Sequence, residues 1–254
     1  MPDLTGKIAL VTGASRGIGR ATALALARAG AIIYAAADST REELEAVTAE
    51  CRAANKGAGA EFGLFDLGDA AAVQAMVDGA IARFKRIDIL VNNAGMRCRK
   101  AFGEFSVADF DRLISVNQRA PFLASQAVVP SMRSNGGGRI IIVASQLGLV
   151  ATPESSLYGM AKAAMIYMTK AMALELAKDK IMVNAVSPGP IETEFTRSQM
   201  DAKPGYREKR EAVIPLGRWG KAEEVAEAIL FLASTTASFI HGENLVIDGG
   251  YVIH

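Results

Sequence analysis

The sequence predicts a doubly wound α/β fold: a single domain in which a seven-stranded parallel sheet carries helices on both faces. Short, continuously apolar runs alternate along the chain with longer stretches of helical periodicity. Strands that are apolar at nearly every position are typical of a parallel sheet buried on both faces. Right-handed crossovers then place the intervening helices on the two sides of the sheet. The 254 residues show no internal boundary or repeat, a length near the upper limit for one hydrophobic core.

Strands and helices alternate in the predicted order. The apolar runs predict strands at residues 8–11, 31–37, 61–66, 87–92, 140–145, 181–187 and 245–248. The stretches between them that are alanine-rich or amphipathic predict helices at residues 17–29, 41–54, 70–84, 107–132 and 157–178. Pro121 falls inside the fourth of these helices, where we expect a kink. The stretch 189–215 is polar and contains three prolines, and it predicts a helical flap or loop over the site.

Composition excludes several classes of protein. The chain carries 28 basic and 27 acidic side chains, so its charge gives no reason to expect a nucleic acid or a membrane surface as partner. No apolar run is long enough to span a bilayer, and residues 1–6 do not resemble a secretory signal. Cys51 and Cys98 are too few for a disulfide framework, and His241 and His254 lack carboxylates at metal-ligand spacing. We therefore expect a cytoplasmic protein without a metal site.

A glycine-rich turn follows the first predicted strand and precedes the first helix. It reads Thr-Gly-Ala-Ser-Arg-Gly-Ile-Gly over residues 12–19, with glycines at 13, 17 and 19. Glycine lets the backbone turn sharply and lets a ligand approach the start of the helix. The N–H groups and the dipole at that helix end favour a pyrophosphate. A tight turn without a ligand is the alternative, but its place in the first strand–helix unit favours a nucleotide.

Tyr158 and Lys162 are four residues apart on the predicted helix 157–178, so they share one face. A cation beside a phenol favours the phenolate and lowers the pKa of that phenol. Acid–base work near neutral pH needs a shift of about 3 pKa units, which corresponds to about 4 kcal/mol. Chance produces such pairs on many surface helices, so the interpretation depends on the other motifs. Ser145, thirteen residues before Tyr158, is the first of these.

With these features, the segment Asn-Asn-Ala-Gly at 92–95 and the ending Asp-Gly-Gly at 248–250, the chain resembles the short-chain dehydrogenase/reductase family. The resemblance covers essentially all 254 residues, and the separate motifs occur in the family's order and spacing. It implies the Rossmann form of the doubly wound fold. It also implies hydride exchange between a nicotinamide cofactor and a carbonyl or secondary alcohol.

The resemblance implies four catalytic residues. Tyr158 corresponds to the acid–base group that exchanges a proton with the substrate oxygen, and Lys162 to its pKa-lowering partner, which also reaches the nicotinamide ribose. Ser145 corresponds to the residue that hydrogen-bonds the substrate carbonyl or hydroxyl, and Asn117 to the residue that holds a proton-relay water. Taken singly, Ser145 is equally compatible with a helix cap and Asn117 with an amide that supports a neighbouring turn.

The resemblance also implies a set of cofactor contacts at the glycine-rich turn, the adenine edge, the ribose and the nicotinamide. Besides Tyr158 and Lys162, these residues are Gly13, Ser15, Arg16, Gly17, Ile18, Gly19, Asp38, Asp66, Leu67, Asn93, Ala94, Gly95, Pro188, Gly189, Ile191 and Thr193. Alone, Asp66 is also typical of a turn after a strand, and Asn92 and Asn93 are compatible with side chains that only tie loops together.

The end of the second strand decides between the two nicotinamide cofactors. A carboxylate at Asp38 can accept hydrogen bonds from the ribose hydroxyls of NAD and repels the 2′-phosphate of NADP. Arg16 and Arg41 are cations that can pair with that phosphate, and a charge pair at 4 Å is worth about 4 kcal/mol at an effective dielectric of 20. Because one attraction and one repulsion nearly cancel, the choice depends on geometry. We expect NAD(H) to be preferred over NADP(H).

The sequence indicates the substrate contacts less clearly than the cofactor contacts. The loop after Gly95 carries Arg97, Arg99 and Lys100, which can receive a substrate carboxylate or phosphate. A solvated or subunit-facing charge run is the plainer interpretation of these three cations. Other residues expected at the pocket are Gln146, Leu147, Met160, Ile191, Phe195 and Met200. This mix leaves sugars, polyols, ketoacyl groups, steroids and small ketones open.

Three hypotheses about function remain at this point. The first is an NAD(P)-dependent oxidoreductase of a small carbonyl or alcohol substrate, and the second is a catalytically silent nucleotide-binding regulator or scaffold. An epimerase or dehydratase is a weaker third, because such proteins usually need a larger substrate domain. The resemblance also implies a homotetramer that pairs the helices at 107–132 and 157–178, although their apolar residues, among them Ala161, Ala164, Met165, Met168 and Met172, fit an ordinary core helix as well.

Overall fold

A computed structural model describes residues 2–194, 196–197 and 205–253, and its centre is a seven-stranded sheet. Its strands are β1 Ile8–Thr12, β2 Ile32–Ala37, β3 Ala60–Leu64, β4 Ile89–Asn92, β5 Gly138–Val143, β6 Ile181–Pro188 and β9 Asn244–Ile247. Every strand pair in this sheet is parallel, in the order β3-β2-β1-β4-β5-β6-β9. A separate two-stranded sheet pairs β7 Ile191–Glu192 with β8 Gly220–Lys221.

The structure gives the bounds of eight α-helices. They are α1 Gly17–Arg28, α2 Arg41–Ala54, α3 Ala70–Phe84, α4 Val107–Ile114, α5 Ala120–Ser134, α6 Ser156–Leu176, α7 Tyr206–Glu211 and α8 Ala222–Ala233. No helix of that part of the chain is both long enough and apolar enough to cross a bilayer. The predicted fold class is therefore confirmed: a single doubly wound domain with a seven-stranded parallel sheet.

The hydrophobic core forms two layers, one on each face of the sheet. Successive strand residues point to opposite faces. Ala9 and Val11 of β1 accordingly pack with α1, α2 and α8, whereas Leu10 between them packs with α3, α5 and α6. Burial on both faces explains why the strand sequences are apolar at most positions rather than at alternate ones.

The predicted helix at residues 107–132 is present, but it is not α-helical throughout. It divides into α4 and α5, and the π-helical segment Ser115–Arg119 lies between them. Pro121 is the second residue of α5, directly after the π-helical segment, and its missing N–H removes a hydrogen bond to the preceding turn that an uninterrupted α-helix would make. Helix α8 and the small sheet of β7 and β8 are additions to the predicted elements.

The strand order places a crevice at one edge of the sheet. After β3 the chain returns past β2 and β1 to form β4 on the far side of β1. Helices after β1 and β4 therefore leave in opposite directions, and the space between their connections opens at the carboxyl ends of the strands. Ligands of doubly wound proteins bind at such a switch point.

Candidate active site

Two connected cavities occupy the carboxyl edge of the sheet. The tyrosine cavity, which Tyr158 lines, has a volume of about 540 Å³. The glycine-turn cavity, which Gly13 and Gly17 line, has a volume of about 460 Å³. The residues that line both are Arg16, Ile18, Asp38, Asn93, Gly95, Met96 and Thr193. The shared walls make the two cavities one continuous cleft.

Most of the predicted site residues line this cleft. The tyrosine cavity receives Arg97, Ser145, Gln146, Tyr158, Lys162, Pro188, Gly189 and Ile191. The glycine-turn cavity receives Gly13, Ser15, Gly17, Gly19, Asp66, Leu67 and Ala94. Asn117 is fully buried behind the wall. Phe195 and Met200, predicted at the substrate pocket, lie outside the described residues.

The glycine-rich turn is shaped by its lack of side chains. Gly13 has φ +64°, and a Cβ there would lie 2.9 Å from the Ala94 Cα. A Cβ on Gly19 would overlap the carbonyl oxygen of Gly13. Helix α1 begins with no side-chain cap on Arg16 and no acidic residue in its first turn. Its first N–H groups are therefore free to bind an anion, which is what a pyrophosphate requires.

Thr12 and Asn93 join the turn to the end of β4. The Thr12 hydroxyl accepts hydrogen bonds from the N–H groups of Asn93 and Ala94, both at 3.0 Å. The Asn93 amide nitrogen donates to the carbonyls of Thr12 and Gly13 at 2.9 and 3.1 Å. Asn92 donates instead to the Ser125 hydroxyl at 3.0 Å. Thr12 is absent from the predicted site, although a threonine that ends an apolar strand before a glycine turn is a usable signal.

Asp66 binds two neighbours at the adenine-side end of the cleft. One carboxylate oxygen accepts from Gly68 N–H at 2.8 Å, which makes the turn expected of an aspartate after a strand. The Arg112 guanidinium pairs with the same carboxylate at 2.9 Å and holds the pKa of Asp66 below its ordinary value. Both side chains line the glycine-turn cavity, so a cation that the sequence did not predict also lies there.

Lys162 is a buried cation on α6. Its Nζ donates to the backbone carbonyl of Val143, at the end of β5, at 2.8 Å. Burial lowers the pKa of Lys162 to about 8. The same Nζ lies 5.7 Å from the centre of the Tyr158 ring, so the i, i+4 spacing does bring the two groups to one face of the helix.

The pKa of Tyr158 differs from the sequence expectation. Burial raises the pKa of this phenol above its ordinary value, and the Arg97 charge and a hydrogen bond with Ser145 oppose the rise. The Arg97 guanidinium carbon lies 5.3 Å from the ring centre. Arg97 is thus a second cation beside the phenol, which the sequence did not predict: its guanidinium lies against the ring, while Lys162 donates its hydrogen bond to the Val143 carbonyl.

Ser145 follows β5 and combines two roles that the sequence left as alternatives. Its hydroxyl accepts from Leu147 N–H at 3.2 Å and so caps the 3₁₀ turn Gln146–Gly148. It also hydrogen-bonds the Tyr158 phenol. The cap fixes the serine, and the fixed serine places a second hydroxyl beside the phenol in the cavity.

Asn117 supports a turn beside the site. Within the π-helical segment, its amide nitrogen donates to the Met96 carbonyl and its amide oxygen accepts from Met96 N–H, both at 2.8 Å. These two bonds tie the π-helical segment to the loop after β4. The amide keeps a second N–H and a second oxygen lone pair, and a relay role for Asn117 stays a prediction.

The three cations after Gly95 separate in the structure. Lys100 pairs with Asp109 at 2.6 Å, and Arg99 approaches Glu154 at 3.8 Å. Arg97 instead turns inward and lines the tyrosine cavity. The loop is therefore neither one anion-binding cluster nor a wholly solvated charge run.

Three further residues complete the tyrosine cavity: Tyr206 and Arg210 of α7, and Trp219, which is 5% exposed. They were not predicted, because the segment between Glu194 and Trp219 shows no periodicity that indicates which side chains face inward. Among the described residues no group of three histidine, cysteine or acidic side chains is placed to hold a metal. His241 bonds the Ala173 carbonyl and Val183 N–H at 2.8 and 3.1 Å, and His254 lies outside the described residues.

Comparison with known proteins decides the family. Residues 13–252 match the family described as enoyl-(acyl carrier protein) reductase. A 3-oxoacyl-[acyl-carrier-protein] reductase of Thermotoga maritima is 40% identical, and the match covers 98% of this chain and 99% of that protein. The chain belongs to the short-chain dehydrogenase/reductase family. A D-threitol dehydrogenase of Mycolicibacterium smegmatis is 42% identical, over 98% of this chain and 94% of that protein.

Solved short-chain dehydrogenase/reductase structures superpose closely. A dehydrogenase/reductase of this type from Mycobacterium marinum has a TM-score of 0.92 and 40% identity, covering 99% of this chain and 98% of that one. A putative gluconate 5-dehydrogenase from Beutenbergia cavernae with bound NADP also has a TM-score of 0.92, with 34% identity and 99% of each chain covered. A 7α-hydroxysteroid dehydrogenase complexed with NADH and 7-oxo glycochenodeoxycholic acid has a TM-score of 0.92 and 33% identity, covering 98% of this chain and 95% of that one. The protein is thus an NAD(P)-dependent oxidoreductase of carbonyl and alcohol groups.

Proposed function

We propose that the protein interconverts a secondary alcohol and a ketone on a small substrate, with Tyr158, Ser145 and Lys162 as its catalytic residues. The observation that carries the proposal is the convergence of these three side chains in a cavity that is continuous with the glycine-turn cavity. When bound, the nicotinamide cofactor supplies or accepts the hydride. The glycine turn, Asp66, Leu67, Ala94, Gly95, Pro188, Gly189, Ile191 and Thr193 are the residues proposed to hold it.

Side chains of the protein hydrogen-bond the substrate oxygen and exchange a proton with it. In ketone reduction negative charge develops on that oxygen, and hydroxyl donors from Ser145 and Tyr158 stabilise it. The Tyr158 phenol then gives its proton to the oxygen, and in alcohol oxidation the phenolate takes a proton from it. The positive charges of Arg97 and Lys162, within 6 Å of the phenol ring centre at 5.3 and 5.7 Å, favour the phenolate state.

The test is turnover of alcohols and ketones with either cofactor, followed by the absorbance of the reduced nicotinamide. Trp219 lines the tyrosine cavity and is the single tryptophan of the chain, so its fluorescence reports binding independently of turnover. Cofactor binding without turnover on a broad panel would favour the silent regulator or scaffold. The epimerase or dehydratase hypothesis gains no support from the relatives, whose names describe dehydrogenases and reductases.

We infer that NAD(H) is preferred, and we expect Asp38 to be the cause. Asp38 lines both cavities, whereas Arg41 lies over the Phe62 ring at 5.4 Å and near Glu45 at 3.8 Å. Arg16 then remains to attract a 2′-phosphate, since Arg112, which also lines the glycine-turn cavity, pairs with Asp66. Asp38→Ser should raise kcat/KM for NADP about tenfold relative to NAD, since it removes one charge repulsion. Glu42→Ser, in the first turn of α2, is the matched control; equal ratios in wild type and Asp38→Ser would contradict the inference.

We also propose a homotetramer built through α4, α5 and α6. Ala161 and Met165 belong to the core, but Tyr167 and Leu174 on the outer face of α6 are 75% and 84% exposed. Val107 and Phe122 add apolar exposure on α4 and α5. Light scattering after size exclusion should give four times the chain mass, and Leu174→Glu should shift the mass to a smaller species, because it places a charge in the proposed contact. A monomeric wild-type protein would contradict the proposal.

Two expectations from the sequence remain proposals. The stretch 189–215 is proposed as a substrate flap, which the position of Tyr206 and Arg210 in the cavity wall supports. A cytoplasmic location stays a prediction from the composition and the two unpaired cysteines, Cys51 and Cys98.

A further inference from the structure

The tyrosine cavity is positively charged at its substrate end. Among the described residues that line it, the cations are Arg16, Arg97, Lys162 and Arg210, and Asp38 alone is acidic. Arg16 and Asp38 also line the glycine-turn cavity, so they belong to the other end of the cleft. Asp38 is therefore the one carboxylate among the described lining of the tyrosine cavity, and it lies at the end of the cleft away from Arg97, Lys162 and Arg210.

Arg97 and Arg210 each carry a donor that is buried and unused. The Nε–H of each guanidinium is inaccessible to solvent and has no hydrogen-bond partner in the described part of the chain. Arg97 makes one long contact, from its terminal nitrogen to the Ser155 hydroxyl at 3.4 Å. The neighbouring cations on the same segments differ, since Arg99 approaches Glu154 and Arg207 pairs with Glu211 at 2.9 Å. Both side chains are half-buried and carry an unused donor, so the pair is suited to bind an anion that accepts hydrogen bonds from both.

Two more unused polar atoms lie in the same wall. The Trp219 indole N–H is a buried donor without a partner, and the Gln146 side-chain oxygen is a buried acceptor without one. A carboxylate accepts several hydrogen bonds and suits two guanidinium donors and an indole N–H. A hydroxyl both donates and accepts, so it satisfies Gln146 in either orientation of its amide.

From this arrangement we propose that the substrate is a short hydroxy acid, whose carboxylate binds Arg97 and Arg210 and whose additional hydroxyl binds Gln146. The inference rests on the proposed function, because it names the substrate of that same site. Arg97 lies 5.3 Å from the Tyr158 ring centre, which puts the carboxylate close to the reacting oxygen and requires a short molecule. The reaction oxidises one secondary alcohol of the acid to a ketone, with the hydride passing to NAD(P)⁺ and the proton leaving through Tyr158. The pathway step that precedes it must therefore supply a hydroxy acid.

The experiment compares acids with neutral polyols of the same carbon skeleton. The probes are threonate against threitol and gluconate against glucitol, with glucose 6-phosphate as a separate arm for a phosphate ligand. Wild type should favour each acid over its polyol in kcat/KM, and the acids should change Trp219 fluorescence. Arg210→Met should lower the acid-to-polyol ratio of kcat/KM at least about tenfold, as expected when one charge-assisted contact is lost.

The controls separate a subsite from a general electrostatic effect. Arg207→Met, on the same helix, should leave the ratio unchanged, and Arg210→Lys should restore part of it. Arg97→Met should reduce turnover of both probe types, because Arg97 also acts on the Tyr158 phenol, but should reduce it more for the acids. Equal losses on acids and polyols in both variants would overturn the inference.

Failure of the inference and failure of the proposed function give different results. If polyols or ketones are turned over while the acids neither react nor change the fluorescence, the inference is wrong and the proposed function stands. A preference for glucose 6-phosphate that Arg210→Met abolishes would likewise overturn the carboxylate assignment. If no alcohol or ketone is turned over, the proposed function is wrong; loss of an acid-induced fluorescence change in Arg210→Met would still support the anion site.

Discussion

Tyr158→Phe is expected to lower kcat about 1000-fold while leaving the Kd of the cofactor within about twofold of wild type. General acid–base catalysis contributes about 10²–10⁴ to an enzymatic rate, and this replacement removes the one phenol hydroxyl that touches both Ser145 and the cavity. The phenyl ring stays in place against the Arg97 guanidinium, so the cavity keeps its shape. Steady-state turnover and cofactor titration by fluorescence measure the two quantities separately.

Tyr167→Phe provides the matched control on the same helix. Tyr167 is 75% exposed and lines neither cavity, so its replacement should leave kcat unchanged. Turnover of Tyr158→Phe within tenfold of wild type would falsify the assignment of the phenol as the acid–base group. Loss of cofactor binding together with turnover would indicate instead that the ring has a structural role.

The sequence predicted the part of the fold that depends on strand and helix periodicity. Seven apolar runs correspond to the seven strands of the main sheet because parallel strands are buried on both faces. The π-helical segment Ser115–Arg119 was beyond prediction, since an extra backbone residue in one turn leaves the periodicity of the flanking helices intact. Its consequence is local but matters to the site, because it directs Asn117 to the Met96 backbone.

The sequence predicted those residues of the candidate site whose positions follow from their spacing along the chain. Tyr158 and Lys162 are one helical turn apart, and the glycine turn follows directly from β1. Arg210 and Trp219 reach the same cavity from a segment distant in sequence, and no local pattern indicates that contact. The environments of the three cations at residues 97–100 were unpredictable for the same reason. Asp109 approaches Lys100 and Glu154 approaches Arg99 from other elements, whereas Arg97 has no such partner among the residues that the structure describes.

Lys162→Met is expected to reduce kcat/KM about 100-fold without lowering the melting temperature. Burial lowers the folded-state pKa of Lys162 from 10.5 to about 8, so holding this charge at pH 7 costs on the order of 3 kcal/mol. That cost is present below the folded-state pKa and disappears as pH rises to the unfolded-state value. Methionine removes it, while the Val143 carbonyl loses its donor at a cost of about 1–3 kcal/mol.

In Lys162→Met, the removed cost of the buried charge and the lost hydrogen bond to the Val143 carbonyl nearly cancel in the free energy of unfolding. The loss of catalysis has no such compensation. A cation near the phenol favours the phenolate, and methionine cannot replace it. Lys170→Met, on the exposed side of the same helix, should change neither kcat/KM nor the melting temperature.

The melting temperatures of wild type and Lys162→Met, measured between pH 7 and pH 10, test whether the Lys162 charge stabilises or destabilises the fold. Wild type should gain stability relative to the variant as pH rises above about 8, where its lysine loses its proton in the folded state. A wild type that instead loses stability relative to the variant over this range would show that Lys162 is stabilised as a cation, and the desolvated-lysine account of the site would then be wrong.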